Sequence, residues 1–529
     1  MTYRWIPAAT LGLSLICTGT TTGAQQNSAS LAALKEAVTK DVEGRYDFTQ
    51  QMIDTVFSFG ELGYLEIETS KYLTEILEQN GFAVQRGVGG LPTGWVARWG
   101  SGRPVIALGS DIDAIPQASQ KPGVAFRASL IEGAPGHGEG HNSGVPLNIT
   151  AALAVKTIME REGLPGTLVL WPGVAEELGG GKAFLIRAGV FKDVDVALFT
   201  HVSSFFRTSW GGPPISSGTI SIQYEFRGSA AHAAFAPWQG RSALDAVELM
   251  DVGWNFRREH LRPSQRSHNV ITSGGDQPNV VPEKATTWYF LREVDYPHMK
   301  ELRGIADKIA QGAAMMTDTT VTSKLVGGAW PQHFNKPMAE AMHENILAAG
   351  MPTWDEKDGA LAKAIQKELN QPQIGLETKP RDLQPNVPVD QNTGGASDDI
   401  GDVSWTLPTI LLRYPANIPN LPGHHWANAI AMATPIAHKG TTVGAKAQAM
   451  MLLDLLTRPA LIDSAKTYFA EQTKEQKYES IFAPDDAPAL DTNARVMDAY
   501  RPAMQRYYFD RTRYKTYLDQ LGINYPTVR

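Results

Sequence analysis

Cysteine is almost missing from this chain: Cys17 is the only one in 529 residues. If the N-terminal segment is cut at Ala24, the remaining chain has none, which excludes disulfides, thiolate nucleophiles and thiolate metal ligands. Long apolar runs are lacking too. The one at Ile6 to Cys17 is too short to span a bilayer as an ordinary helix. The formal charge is only −7, with no Lys/Arg stripe and no interleaving of aromatic and basic residues, so nucleic acid is not an expected partner. Internal repeats are absent. At 43% hydrophobic and 19% charged the chain is neither disordered nor fibrous, and its length allows two or more domains with ample core.

The first residues read as a secretory signal, with Arg4 as the only charge, then the apolar run, then Thr-Thr-Thr-Gly-Ala ending at Ala24. A buried N-terminal helix is the alternative. Lipidation at Cys17 ranks below export, because Ser14 and Ile16 fit poorly the small residue expected just before a lipid-modified cysteine. The expectation is a periplasmic or secreted protein with no stable membrane anchor after cleavage. Loss of Arg4 would move the formal charge from −7 to −8.

The richest stretch is Gly136-His137-Gly138-Glu139-Gly140-His141-Asn142, followed downstream by Glu176-Glu177. A carboxylate and an imidazole two residues apart, set among glycines, can converge on one cation, and an adjacent pair of glutamates can divide labour between ligand and base. Short buried strands are read at 104–109, 167–171, 194–199 and 409–414, with helices at 147–161 and 181–188 between them. Each strand runs into a candidate functional residue: Asp111 and Asp113, then Glu176 and Glu177, then His201, and after a longer loop His424. Ligands gathered beyond the carboxyl ends of strands are common in open α/β sheets. The run Gly179-Gly180-Gly181-Lys182 lacks the phosphate-loop spacing and is read as a tight turn opening a helix.

From Ser217 the pattern changes to β-α-β-β-α, which suggests a small two-layer domain inserted into the larger one. The expected organisation is a signal at 1–24, an α/β catalytic domain with a mostly parallel sheet at 25–216 and 321–460, an inserted α+β lid or dimerisation domain at 217–320, and a helical extension at 461–529. Residues 350–397 read as a long loop with one helix at 360–369. The tail aromatics Tyr500, Tyr507, Tyr508, Phe509, Tyr514 and Tyr517 fit either an amphipathic helix packed on the core or an oligomer interface.

With these residues in place, the chain resembles the co-catalytic metallopeptidases of the aminoacylase and glutamate carboxypeptidase superfamily, and within it the amidohydrolase branch that includes the p-aminobenzoyl-glutamate hydrolases. The motifs are GSDIDAIP at 109–116, GHGEGHN at 136–142, VAEELGGGKAFLIRAGVF at 174–191, GSAAHAAFAPWQGRSALDAV at 228–247, GASDDIGDVSW at 395–405 and PGHHWANAIAMATPIAHKG at 422–440. The resemblance implies two divalent cations, Zn²⁺ or Mn²⁺, held by Glu139, His141, Glu177, His201 and His424. It implies Glu176 as general base and Asp113 as a carboxylate steering a ligand. His232 on the inserted domain would reach the active site of a homodimer partner and help hold the oxyanion, and Asn279 would contact substrate. His137, His425 and His438 are read as structural or supporting. Arg292 is open between pairing with a substrate carboxylate and a structural salt bridge.

One departure matters. The branch normally has cysteine where this chain has Glu139, so hard oxygen replaces soft sulfur at a metal ligand. The implied reaction is hydrolysis of the amide of an N-acyl or N-aroyl amino acid, a small-molecule substrate. A dipeptidase or carboxypeptidase on the same scaffold, and a non-catalytic binding subunit with a degenerate metal site, are the alternatives.

Overall fold

The computed structural model describes residues 1–2 and 22–529; the apolar run of the proposed leader and Cys17 lie outside the described residues. The strands in chain order are β1 (Ala83–Arg86), β2 (Trp95–Ser101), β3 (Val105–Asp111), β4 (Gly166–Gly173), β5 (Val196–Ser203), β6 (Arg207–Thr208), β7 (Gly218–Arg227), β8 (Arg266–Ser273), β9 (Lys284–Glu293), β10 (Thr320–Ala329) and β11 (Thr409–Pro415). They form two sheets. The larger has the order β1-β2-β4-β3-β5-β11-β6, with a parallel centre β4-β3-β5-β11 and antiparallel pairing at both margins.

Every residue of β3 and β4 is buried, as expected for central parallel strands covered by helices on both faces. The covering helices include Gly144–Glu162 and Pro435–Thr457, the latter with eighteen buried residues. Among the described residues no helix is long and apolar enough to cross a membrane.

The second sheet is antiparallel, in the order β10-β7-β9-β8. Burial alternates strictly along β9, since helices Ala243–Arg258 and Tyr296–Thr317 cover one face of the sheet. The opposite face carries Trp288, Phe290 and Arg292 into a cavity shared with the larger sheet. This inserted unit runs past the boundary expected at 320. Thr320–Ala329 pairs with β7 along its whole length, so the return to the larger domain comes after Ala329. The alternation of that strand is blurred by Gly327 and Gly328, where the register shifts, and the sequence pattern there does not separate the two sheets.

Two further differences are local. Helix Lys336–Ala349, which buries Met338, Met342 and Ile346, is additional to the expected elements, and so is the antiparallel margin β1-β2, whose strand β1 is only four residues long and mostly exposed. The tail is not one amphipathic helix. It consists of Pro459–Gln472, Ala494–Met504 and Tyr517–Leu521 joined by irregular segments, so the aromatics from Tyr500 to Tyr517 are divided between two helices and the turn and loop between them. Phe509 and Tyr517 are nevertheless buried on the core, where the Tyr517 N–H donates to Asp54 at 2.9 Å.

Candidate metal centre

The ends of β3, β4, β5 and β11 bring the candidate residues together. Asp113 follows β3 and is buried. Its Oδ1 lies 3.3 Å from His141 Nδ1, and its Oδ2 accepts from the Glu177 backbone N–H at 3.1 Å. The carboxylate therefore holds the Nδ1–H of His141 and turns Nε2 toward the cluster. His201, on β5, has Nδ1 at 2.8 Å from Val202 O and at 3.3 Å from Arg413 Nη1. A carbonyl oxygen only accepts, so this ring nitrogen carries the proton, and Nε2 keeps its lone pair.

His141 Nε2 and His201 Nε2 then face each other at 3.4 Å. Glu139 lies beside them, 3.3 Å from His201 Nε2, 3.8 Å from His141 Nε2 and 3.0 Å from His424 Nε2, and His424 Nε2 is also 3.4 Å from Glu177. Ligand atoms of Glu139, His141, Glu176 and Glu177 lie within 4.8 Å of one another, as do those of Asp111, His141 and His201. Glu177 Oε1 is buried and has no hydrogen-bond partner among the described residues. Two imidazole nitrogens and several carboxylate oxygens converge here, a donor set that suits divalent cations with mixed nitrogen and oxygen ligation. Glu139 fits this donor set.

Burial would raise Glu139, but the neighbouring imidazoles of His201, His424 and His141 hold its carboxyl well below the usual range. Burial, then the charges of Asp398, Asp111 and Glu177, push Glu176 well above it. Glu177 is raised by burial and by Glu139. The hydrogen bond to Glu139, with the charge of Glu177, lifts His424 to about 9. Burial would lower His141, yet Asp113 and Glu139 raise it well above its ordinary value.

The backbone is shaped for this convergence. Gly140 between Glu139 and His141 has φ +117°, and a Cβ there would run into Met432 Sδ. His424 and Ala175, just before Glu176, hold left-handed conformations at φ +46° and +54°. His424 is the exposed member of the set, its side chain 61% accessible at the mouth.

Two predicted residues are not brought to this cluster within one chain. His232 and Asn279 lie on the exposed surface of the inserted unit, away from the residues lining the cavity. Arg292, by contrast, faces into the cavity, and its charge is felt by Glu176 and Glu177. His137 is buried with Nε2 3.2 Å from Val56 O, and His438 is paired with Asp54 at 2.7 Å, both away from the cluster.

Beneath the site lies an ion cluster whose members nothing in the sequence links. Lys182 is fully buried, with Nζ 2.5 Å from Asp111 Oδ1, 3.4 Å from Asp398 Oδ1 and in contact with Asp399 Oδ1. These aspartates form a group that could hold a metal, but the ammonium already supplies their cation. Asp399 also accepts from the Gly181 and Lys182 N–H groups, fixing the turn after Glu177. A Cβ at Gly173 would strike Asp111 Oδ1, so glycine admits this ion cluster against β4. The Asp398-Asp399 pair within GASDD was the available signal.

Residues 107–512 match Peptidase family M20/M25/M40. The chain is 36% identical over 454 residues to a subunit of the p-aminobenzoyl-glutamate hydrolase of Escherichia coli (strain K12), covering 80% of this chain and 92% of that protein. It is 28% identical over 462 residues to the Xaa-Arg dipeptidase of Mus musculus, covering 85% and 95%. Among solved structures, a candidate aminohydrolase of methicillin-resistant Staphylococcus aureus superposes with a TM-score of 0.54 at 18% identity, covering 80% of this chain and all of that one.

Proposed function

The chain belongs to peptidase family M20/M25/M40, a family of hydrolases acting on amide bonds, and from that premise we propose that it cleaves N-acyl or N-aroyl amino acids of the p-aminobenzoyl-glutamate kind. The observation that carries the reading is the convergence of buried His141 and Glu176 with half-buried Glu139 and Glu177 beside a cavity of about 970 Å³. Such a volume suits an aroyl amino acid. The non-catalytic alternative is not favoured, because Glu139 lies among the other donors rather than turned away from them. Nor is the dipeptidase alternative, since the identity to the p-aminobenzoyl-glutamate hydrolase subunit, 36%, exceeds the 28% to the Xaa-Arg dipeptidase.

In this proposal Glu139, His141, Glu177, His201 and His424 hold two divalent cations, with zinc or manganese the expected ions. When bound, the cations supply Lewis acidity toward water and the substrate carbonyl. Glu176 accepts a proton from the attacking water at its carboxylate and delivers it to the departing nitrogen. Burial and the neighbouring carboxylates raise its pKa, which favours its taking up a proton. Asp113 fixes the tautomer of His141 and, through the Glu177 N–H, the start of the turn that carries both glutamates. Arg292 holds a substrate carboxylate, a role supported by its buried, unpartnered Nε.

The inserted unit acts as lid and homodimer surface. Its edge strand β8 exposes Val270 and Ile271, and Phe235, Trp238 and Phe256 are exposed nearby in sequence to His232 and on the covering helix. His232 Nδ1 accepts from the Ala234 and Phe235 N–H groups at 3.2 and 3.1 Å, which puts the ring proton on Nε2. That outward donor suits an oxyanion in a second copy's site. Export to the periplasm or medium is part of the same proposal and rests on the N-terminal segment alone.

The test is a substrate panel with the metal-loaded protein, comparing p-aminobenzoyl-glutamate and other N-acyl amino acids with dipeptides bearing a free α-amino group. Turnover of the first group in preference to the second is expected, and preference for the dipeptides would overturn the reading.

A further inference from the structure

One wall of the cavity is more cationic than a single substrate carboxylate requires. On the larger sheet, His201 of β5, Arg413 of β11 and Arg207 of β6 stand in register across three neighbouring strands. Strands are spaced by about 4.8 Å, so this row steps outward from the metal cluster in two short strides. Arg413 and Arg207 are directly opposite each other and both line the cavity. Like charges in that relation repel.

Neither arginine has a carboxylate within ion-pair distance among the described residues. Among the described residues the one polar neighbour within hydrogen-bond distance of the Arg413 guanidinium is His201 Nδ1, whose proton is already given to Val202 O, so the guanidinium is left without an acceptor. Asp398, Glu139 and Glu176 act on Arg413 from farther away. Arg207 makes no side-chain hydrogen bond among the described residues and lies 4.8 Å over the ring of Phe205. The contrast is Arg381, which shares the same ring at 4.1 Å but is clasped by Glu377. Ser209, Gln332 and Gln384 complete a polar wall around the pair. Paired arginines, partly buried, repelling each other and lacking an internal counter-ion, form a receptor for an external anion.

We propose that Arg413 and Arg207 form an anion subsite for a second substrate carboxylate, so that the site selects amides carrying two acidic groups. Arg292 reaches the same cavity from β9 of the other sheet. A dicarboxylate substrate thus meets guanidinium groups contributed by both sheets to one cavity. A cationic side chain, such as that of an arginine dipeptide, meets repulsion from both. The inference rests on the amidohydrolase reading and narrows it to acidic substrates.

The experiment uses the metal-loaded full chain and Arg207→Gln, with Arg207→Lys as the charge-retaining variant. N-benzoyl-glutamate is compared with N-benzoyl-glutamine to test an acid on the amine side, and N-succinyl-glutamine with N-acetyl-glutamine to test one on the acyl side. The wild type should prefer one acid over its neutral counterpart by about tenfold or more in kcat/KM, the scale of a charged hydrogen bond, and the pair that shows this identifies the half carrying the acid. Arg207→Gln should lose most of that preference, and Arg207→Lys should keep a good part of it. Glutarate binding, measured by calorimetry on chelator-treated protein, should weaken in parallel in Arg207→Gln. Unaltered acid preference and glutarate affinity in Arg207→Gln, or no acid preference in the wild type, would overturn the subsite. If no amide is hydrolysed, the amidohydrolase reading fails, and the glutarate titration still decides the subsite.

Discussion

Replacing Lys182 with methionine removes the ammonium that neutralises Asp111, Asp398 and Asp399. The two side chains have similar length and an unbranched apolar stem, so the change is one of charge more than of packing. Lys182 is fully buried and approaches all three carboxylates, two of which, Asp111 and Asp399, are themselves without solvent contact. Removing one side of a buried ion pair costs about 3–5 kcal/mol, because the remaining charge has neither water nor partner. Burial already raises Asp111 and Asp399, and Lys182 is the main influence lowering them, so without it both move further up. A carboxyl whose folded-state pKa lies above its unfolded value contributes stability that is present at low pH and lost as pH rises through the folded value. The variant should therefore fall short of the wild type by about 3–5 kcal/mol near pH 8 and by clearly less near pH 5. Urea unfolding followed by tryptophan fluorescence reads this, on chelator-treated samples so that differences in metal loading do not enter. A loss under about 1 kcal/mol at both pH values, or one that grows toward acid, would refute the assignment of Lys182 as the counter-ion.

Three other outcomes are expected. Glu176→Gln should lower turnover by about a hundredfold to ten-thousandfold while elemental analysis finds its metal retained, and near-normal activity would remove Glu176 as the base. Gly140→Ala, which forces a Cβ toward Met432 Sδ at a left-handed φ, should cost about 1–3 kcal/mol in unfolding experiments and reduce metal uptake. His137 has its pKa lowered to about 3, first by burial and then by His141. Between the ordinary value near 6.5 and that folded value the unfolded chain binds the extra proton, so its contribution is complete above the upper limit and lost as pH falls. At about pH 5 that is roughly 2 kcal/mol, and His137→Gln should show a correspondingly flatter acid limb in chelator-treated protein.

Much of this architecture was legible from local pattern. Continuous apolar runs ending in acids and histidines marked β3, β4, β5 and β11 and the candidate site residues that follow them, because central parallel strands must be apolar on both faces. The alternation of Ile220, Ile222, Tyr224 and Phe226 marked the one-sided inserted sheet in the same way. The Lys182 cluster was not legible, since Asp111, Lys182 and Asp399 are joined only by packing across more than two hundred residues. Arg207 and Arg413 belong to the same class, for each looks like an ordinary strand-end charge until β6 and β11 pair in register. The end of the inserted unit at Ala329 was lost for a simpler reason, as glycines within β10 erased the period that would have assigned it.

The central claim is that Glu139 completes a working metal site in place of a sulfur ligand. The most direct measurement is elemental analysis of the purified protein, with p-aminobenzoyl-glutamate hydrolysis followed before chelation, after it, and after metal is restored. The account predicts two divalent ions per chain, loss of turnover with chelator and its return on reconstitution; a protein that takes up no metal even when reconstituted would contradict it.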